Sequence, residues 1–233
     1  MNQKLLTIFT YLKELFPNPE TELHYSTPFQ FVVAVMLSAQ ATDVQVNKVT
    51  DILFKKIQTS EDLLTFWFAS FEHSIKSVNY YHSKAKHIRE TAKIIQNLEF
   101  KMQNEKIKTY KNWIPDTLED LMKLPWVWIK TAKLIAHVLY DKLFIAVDTH
   151  IHRVSNRLGL VKTTSPEKTS ELLEKRIPDQ YKDHAHHALV LFWRYYCKAQ
   201  KPQCETCKLQ KICLFYKNTS SHFQGEKKRG VLQ

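Results

Sequence analysis

The sequence lacks any long apolar run, since no stretch approaches the roughly eighteen continuous apolar residues that a membrane-spanning helix needs. Its first segment, MNQKLLTIFTYLKELF, has the pattern of an amphipathic helix and lacks the apolar core of a signal peptide. Strand-like alternation and hairpin signals are missing too, whereas helical periodicity runs through nearly the whole chain. Proline-marked loops separate the periodic segments, so we predict an all-α fold without a membrane partner.

Glycine is scarce, and cysteine is confined to one short segment. The 233 residues include three glycines, where average usage predicts about sixteen. The four cysteines all lie between positions 197 and 213, which favours a metal or cluster site over the scattered disulfides of a secreted domain. We therefore expect a reducing, cytoplasmic setting.

Basic residues, in contrast, are plentiful. Lys and Arg number 34 against 23 Asp and Glu, giving a formal net charge of +11, so a polyanionic partner, above all nucleic acid, is favoured. Past residue 217 the segment NTSSHFQGEKKRG is polar and basic without periodicity. We predict a disordered basic tail there, over residues 218–233, that adds weak attraction to phosphates.

The cysteines form the sharpest motif. Their spacing is C-x6-C-x2-C-x5-C, in the order Cys197, Cys204, Cys207 and Cys213. Four thiolates within so short a segment can close around one metal centre. Zinc and an iron-sulfur cluster both use four sulfurs, and the spacing leaves both open.

Lysines are interleaved with these cysteines. They are Lys198, Lys201, Lys208 and Lys211. A loop with this much positive charge can lie on a DNA phosphate backbone. The alternative is that they are ordinary solvated lysines.

The segment LPWVWIKTA, at positions 124–132, lies between two helical patterns. A helix, a short hairpin and a second helix can aim backbone N–H groups at a DNA phosphate without reading the base sequence. Lys130 lies at the start of the second helix, where the helix dipole and partial desolvation would favour a neutral amine able to attack carbon. The alternative is one more phosphate-binding lysine.

The segment FIAVDTHIHRVSNRLGL places Asp148 between an apolar run and a helix. Aspartate is an ordinary N-cap there. A carboxylate so placed can also stabilise positive charge on a sugar or move protons during elimination. The two roles are compatible.

Together these motifs resemble the endonuclease III family. The segments ELHYSTPFQFVVAVMLSAQATD, LPWVWIKTA, AVDTHIHRVSNRLGL and DHAHHALVL precede or overlap the cysteine region in the family's order, over residues 20–213. The resemblance implies a two-lobed helix-hairpin-helix DNA glycosylase fold with DNA bound between the lobes. It implies a six-helix domain over residues 21–142 and a cluster domain over residues 1–20 and 143–217.

The resemblance also implies an activity. The four cysteines would hold a [4Fe-4S] cluster, and a monomeric enzyme would excise oxidised pyrimidines and cleave the abasic site. Lys130 matches the nucleophile that forms a Schiff base before β-elimination, and Asp148 matches the catalytic carboxylate. Gln40 matches the residue that fills the gap left by the extruded nucleotide, although it can also be a helix-end cap. Tyr80 lies where the family carries a leucine wedge, and its ring can enter the base stack.

Tryptophan stands where this family has glycine. Trp126 and Trp128 occupy both glycine positions of the LPGVGxKTA hairpin, Trp193 replaces the glycine before the first cysteine, and Trp113 replaces that of an Asn-Gly turn. Trp67 fits the same trend. Our hypothesis is that the source reads UGA as glycine and that this sequence was translated with UGA as tryptophan. The alternative is a remodelled hairpin, in which the indoles of the predicted DNA-contacting residues Trp126 and Trp128 obstruct the approach of phosphate.

Two other functions compete. The related adenine-mismatch glycosylases resemble LPGVGxST instead of a KTA motif, and Lys130 argues against them. A non-catalytic DNA-binding iron-sulfur protein is the rival from another class, made plausible by the altered hairpin. It predicts DNA affinity without covalent trapping.

Overall fold

The computed structural model describes residues 3–105 and 113–219, and within them regular structure is helical, with no β-strand. The all-α prediction is therefore confirmed. The helices are α1 (Gln3–Leu15), α2 (Pro28–Ser38), α3 (Asp43–Leu53), α4 (Ser60–Thr65), α5 (Phe68–Ser74), α6 (Tyr81–Glu105), α7 (Leu118–Leu121), α8 (Ile129–Tyr140), α9 (Thr149–Leu158), α10 (Pro166–Arg176) and α11 (Asp179–Tyr195). No helix in the described ranges has both the length and the apolar character needed to cross a bilayer.

The chain divides into two compact units. Unit 1 comprises Met1–Glu20 and Leu143–Gln233, and unit 2 comprises Thr21–Lys142. Unit 2 contains α2 to α8, whereas α1 and α9 to α11 belong to unit 1.

Helix α2 is the centre of unit 2. Its sequence PFQFVVAVMLS is apolar on every side, and α3, α6 and α8 all pack against it. Thr27, the N-cap, and Gln30 form a capping box at its start, and Pro28 lies between them in the first turn. The buried Gln30 amide also donates to the carbonyl oxygens of Phe54 (3.0 Å) and Ile57 (2.8 Å), which ties α2 to the segment after α3.

Unit 1 has its own core. Helix α11 packs against α1 and α9, and α9 packs against α10. The largest side chains buried there include Ile8, Phe9, Leu12 and Phe192. The cysteine segment closes against this core, because Leu209 is fully buried and Cys213 is 8% exposed.

Gly159 ends α9 in a left-handed conformation with φ of 70°. This left-handed conformation favours glycine, and a Cβ there would displace the ends of the Lys4 and Leu214 side chains, which lie 2.5 and 2.7 Å from its position. Residues 214–219 are helical, which includes the first two residues of the predicted tail. The rest of that predicted tail lies outside the described residues.

Candidate active site

The predicted helix-hairpin-helix is confirmed in unit 2. Thr117 caps α7, the Val127 N–H donates to Leu124 O (3.1 Å), and the Ala132 N–H donates to Trp128 O (2.8 Å) at the start of α8. Leu124 and Val127 are buried, at 2% and 3% exposure, and anchor the turn from inside. The hairpin is therefore a fixed element with its remaining side chains directed outward.

The two hairpin tryptophans differ in backbone conformation. Trp126 has φ of 63°, in the left-handed region that favours glycine, and its ring lies 4.5 Å from the His87 ring. Trp128 is the N-cap of α8, with φ of −90° and no side-chain capping bond, and is 72% exposed. Both indoles are therefore exposed on the hairpin, where the sequence predicts contact with a DNA phosphate.

The other tryptophans fit their surroundings unequally. Trp113 has φ of 64°, again left-handed. The Trp193 ring stacks on His150 at 3.9 Å, but its indole N–H is buried without a hydrogen-bond partner among the described residues. Trp67 has φ of −59° and is 75% exposed, so nothing at that position favours glycine.

Lys130 lies in the first turn of α8 and is exposed. The desolvation expected from the sequence is therefore not provided by this chain. Its positive charge acts on Asp43, which lies in the first turn of α3. Burial raises the pKa of the Asp43 carboxyl above its ordinary value, and the charge of Lys130 opposes that rise.

Asp148 is the N-cap of α9, in unit 1. Its Oδ1 accepts hydrogen bonds from the backbone N–H groups of His150 (2.9 Å) and Ile151 (2.8 Å). The predicted capping role is therefore present, and the carboxylate is held in one orientation at the positive end of the helix.

Gln40 and Tyr80 both lie in exposed turns of unit 2 and both have left-handed backbones, with φ of 55° and 58°. Gln40 follows the last residues of α2, and its carbonyl oxygen accepts a hydrogen bond from Asn79 Nδ2 at 2.8 Å. The structure thus brings the two predicted DNA-contacting residues to neighbouring turns.

The cysteine segment is attached to the end of α9 by Arg157. Its guanidinium donates to the carbonyl oxygens of Lys198 (2.7 Å) and Ala199 (3.0 Å) and lies 3.7 Å from Cys197 Sγ. The Cys213 thiol donates to the Arg157 carbonyl oxygen at 3.3 Å. One arginine therefore holds the first and last cysteines against the same helix end.

The four cysteines are free of disulfides. Burial raises the pKa of Cys197, Cys204 and Cys207, and thiolate charge on neighbouring cysteines raises it further. Thiolates in this segment therefore need a cation to offset them. Across residues 3–105 and 113–219, no three His, Cys, Asp or Glu side chains converge tightly enough to hold a metal ion. The fit to a metal centre rests on the donor set, four free thiols that interact electrostatically within one short segment.

The four lysines of this segment are exposed. Lys208 differs from the rest because its ammonium group donates to Glu14 Oε2 at 2.7 Å, which raises the pKa of Lys208. Lys208 therefore already has an anionic partner in unit 1.

Three residues that support the candidate site were not predicted in that role from the sequence. Asp43 belongs to the LSAQATD segment, but its closeness to Lys130 arises because α3 and α8 both pack on α2. Lys84 is 3% exposed and donates to carbonyl oxygens at the end of α2, which an otherwise polar helical pattern does not indicate. Arg157 was visible as a basic residue of α9, but its bonds to the cysteine segment depend on tertiary packing.

Comparison with known proteins identifies similar chains. A family model described as HhH-GPD superfamily base excision DNA repair protein matches residues 33–179. Endonuclease III of Rickettsia felis is 39% identical over 209 residues, covering 90% of this chain and 93% of its own. Endonuclease III of Bacillus subtilis is 40% identical, covering 86% of this chain and 87% of its own. A solved structure of a trapped endonuclease III–DNA covalent intermediate is 34% identical with a TM-score of 0.82, covering 94% of this chain and 100% of its own.

Proposed function

Because the chain belongs to the endonuclease III family of HhH-GPD base-excision repair proteins, we propose which of its residues carry out the family's reaction. The protein is a DNA glycosylase and abasic-site lyase, and its partner is DNA. We propose that it acts as a monomer, that it is cytoplasmic and associated with the nucleoid if the source is bacterial, and that oxidised pyrimidines in duplex DNA are its substrates.

The observation that carries the assignment is the helix-hairpin-helix with Lys130 in the first turn of its second helix. The Lys130 amine attacks the anomeric carbon of the damaged nucleotide, and the bond from that carbon to the base breaks. The base leaves with a proton, and the sugar opens to a Schiff base on Lys130. Removal of a proton from the adjacent sugar carbon then expels the 3′ phosphate by β-elimination.

Asp148 is the proposed carboxylate partner of this reaction. Its two backbone hydrogen bonds fix the carboxylate, so it can stabilise positive charge on the sugar or accept a proton without reorganising. Gln40 and Tyr80 are the proposed residues that enter the duplex, one to fill the vacated position and one to separate neighbouring bases.

Cys197, Cys204, Cys207 and Cys213 are the proposed ligands of a [4Fe-4S] cluster. When bound, the cluster supplies a four-thiolate cross-link that joins the two ends of the segment and neutralises its thiolates. Zinc is the alternative with the same donors. Iron and acid-labile sulfide analysis of the purified protein separates the two, because only the cluster contains inorganic sulfide.

The five tryptophans bear on the activity of this sequence. We propose that they stand for UGA-encoded glycine, which is supported by the left-handed backbone at Trp113 and Trp126 and by the Trp193 N–H, which has no hydrogen-bond partner within the described part of the chain. Sequencing the coding DNA tests it. UGA codons at these positions support the hypothesis, and UGG codons refute it.

The catalytic proposal is tested by trapping. Duplex DNA carrying thymine glycol is incubated with the protein and borohydride, which reduces a Schiff base to a stable covalent adduct. The Trp126→Gly/Trp128→Gly protein and its Lys130→Ala derivative are run in parallel. An adduct that requires Lys130 supports the lyase mechanism, and an adduct only after glycine restoration means that the indoles disable the hairpin.

A non-catalytic DNA-binding protein is the second candidate, favoured by the exposed Trp126 and Trp128 on the hairpin. It predicts that DNA is bound and no version is trapped, although the cysteine centre is intact. An adenine-mismatch glycosylase is disfavoured because those enzymes resemble LPGVGxST, whereas this chain has Lys130 in a KTA motif.

A further inference from the structure

Two turns of unit 2 carry backbone strain side by side. Gln40, after α2, and Tyr80, before α6, both have left-handed φ, and Tyr80 is 63% exposed. Non-glycine residues keep such a conformation only where their surroundings impose it. Local backbone bonds contribute to each turn, such as Ala41 N–H to Ser38 O (3.1 Å) and Lys84 N–H to Tyr80 O (3.0 Å), and side-chain contacts link the two turns to each other.

Three side chains connect the two segments, Asn79 from the turn before α6, Gln45 from α3 and Lys84 from α6. Asn79 Nδ2 donates to Gln40 O (2.8 Å), immediately before Tyr80. In the opposite direction, Gln45 Nε2 donates to Ser77 O (2.5 Å). Lys84 Nζ donates to Leu37 O (2.7 Å) and to Ala39 O (2.6 Å).

Lys84 gives this arrangement its rigidity. A lysine is almost never fully buried unless it is paired, yet Lys84 is 3% exposed. Its partners are carbonyl groups at the end of α2, which accept no hydrogen bond from the helix's own N–H groups. Segment 77–84 therefore caps the C-terminal end of α2 and fixes Gln40, which follows that helix.

We propose that Asn79 and Lys84 are positioning residues, which hold Gln40 and Tyr80 in one fixed arrangement for entry into duplex DNA. This inference rests on the proposed function, in which those two residues enter the base stack. A pre-arranged pair of turns loses less conformational entropy on binding than two independent loops do. The hydrogen bonds of Asn79 and Lys84 to the end of α2, which we call the brace, therefore strengthen binding to DNA with a vacated position. Intact duplex, which offers no gap, gains nothing from it.

The decisive variant is Asn79→Ala, because Asn79 is exposed and the change adds no charge. Asn47→Ala is the control in the same unit, because Asn47 holds a different segment: its Nδ2 donates to Glu22 O (2.7 Å) and its Oδ1 accepts from the His24 N–H (3.0 Å). Both are made in the protein version that forms the borohydride adduct. The probes are a duplex with 2-aminopurine opposite a tetrahydrofuran abasic analogue and the same duplex without the analogue.

We expect Asn79→Ala to lower the affinity preference for the abasic analogue over intact duplex about fivefold, the equivalent of one lost hydrogen bond. The 2-aminopurine fluorescence gained on binding falls with it, whereas affinity for intact duplex and the Asn47→Ala control are unchanged. In the DNA-free protein, amide hydrogen exchange at Ala39–Ala41 becomes faster in Asn79→Ala and in Lys84→Met, and stays as it was in the control.

Unchanged exchange at Ala39–Ala41 in Asn79→Ala overturns the proposal, and so does an unchanged preference for the abasic analogue. A parent protein without that preference overturns it as well. Each of these results leaves an adduct through Lys130 standing, so failure of the brace is distinct from failure of the catalytic proposal. Should Lys84→Met not fold, the exchange and binding data of Asn79→Ala decide alone.

Discussion

Trp126 and Trp193 place the same side chain in two different backbone settings. Trp126 has φ of 63°, whereas Trp193 lies within α11. An L-residue in the left-handed region costs about 1–2 kcal/mol, which glycine avoids. In the interior of a helix glycine is instead about 1 kcal/mol worse than alanine.

The comparison of glycine with alanine should therefore reverse between these positions. We expect Trp126→Gly to have a free energy of unfolding about 1 kcal/mol above that of Trp126→Ala, because both lose the ring and only glycine relieves the backbone. Trp193→Gly should lie about 1 kcal/mol below Trp193→Ala. Urea denaturation of the four variants measures both differences, and the same sign at both positions would contradict the prediction.

Single residues were predictable where their role is local. Asp148 as an N-cap follows from one aspartate before a helical pattern, and its two backbone bonds agree with that. The influence of Lys130 on Asp43 was not predictable, because it requires knowing that two helices distant in sequence share a third as their packing partner. The sequence allowed partial desolvation of Lys130, whereas the folded chain leaves this side chain exposed.

At the scale of the element, the start of α9 allows its capping and its chemistry to be separated. Asn caps a helix about as well as Asp, so Asp148→Asn should stay within about 0.5 kcal/mol of the parent in stability, whereas Asp148→Ala should lose about 1–2 kcal/mol. The negative charge is gone in both. We expect both to form the borohydride adduct about 100-fold more slowly under single-turnover conditions. If Asp148→Asn formed the adduct at the rate of the parent protein, Asp148 would act only as a helix cap.

The end of α2 carries a pH dependence through Lys84. Burial lowers the pKa of Lys84 from 10.5 to about 8. Between these values the unfolded chain holds a proton that the folded protein has released, so stability rises with pH across this window. The neutral amine keeps two N–H groups, enough for both carbonyl oxygens of α2.

The contribution of Lys84 is measured against Lys84→Met, which has no titrating group there. The difference in unfolding free energy, parent minus variant, should increase from pH 8 to pH 10.5, by up to about 3 kcal/mol. Urea denaturation at pH values across the window gives the difference. A difference independent of pH would show that Lys84 titrates alike in both states.

Elements were more predictable than their connections. Apolar periodicity and punctuation identified the hairpin between α7 and α8, because those signals lie in contiguous sequence. The brace between the turns at Gln40 and Tyr80 was not predictable, since it is made by side chains that meet only after both turns are packed. Side-chain donors to backbone carbonyls leave no periodic trace in a sequence.

At the scale of the whole molecule, a net charge of +11 makes attraction to DNA the dominant long-range force. Charge and motif order were readable from the sequence because neither depends on packing. Which lysines remain available to a phosphate does depend on packing. Lys208 forms an ion pair with Glu14, and its ammonium lies 5.7 Å from the centre of the Tyr11 ring.

Salt dependence distinguishes a lysine that contacts phosphate from one that is already paired. Each phosphate contact contributes about 0.9 to the slope of log affinity against log salt, through counterion release. In the Trp126→Gly/Trp128→Gly protein, we expect Lys211→Ala to reduce that slope by about 1. Lys208→Ala should leave it nearly unchanged, because Lys208 must first give up Glu14 at 2.7 Å. Fluorescence anisotropy with duplex DNA over a salt series measures both slopes. If both substitutions reduced the slope equally, DNA would displace Glu14 from Lys208. In that case Glu14→Gln would leave unchanged the share of the slope that Lys208 contributes.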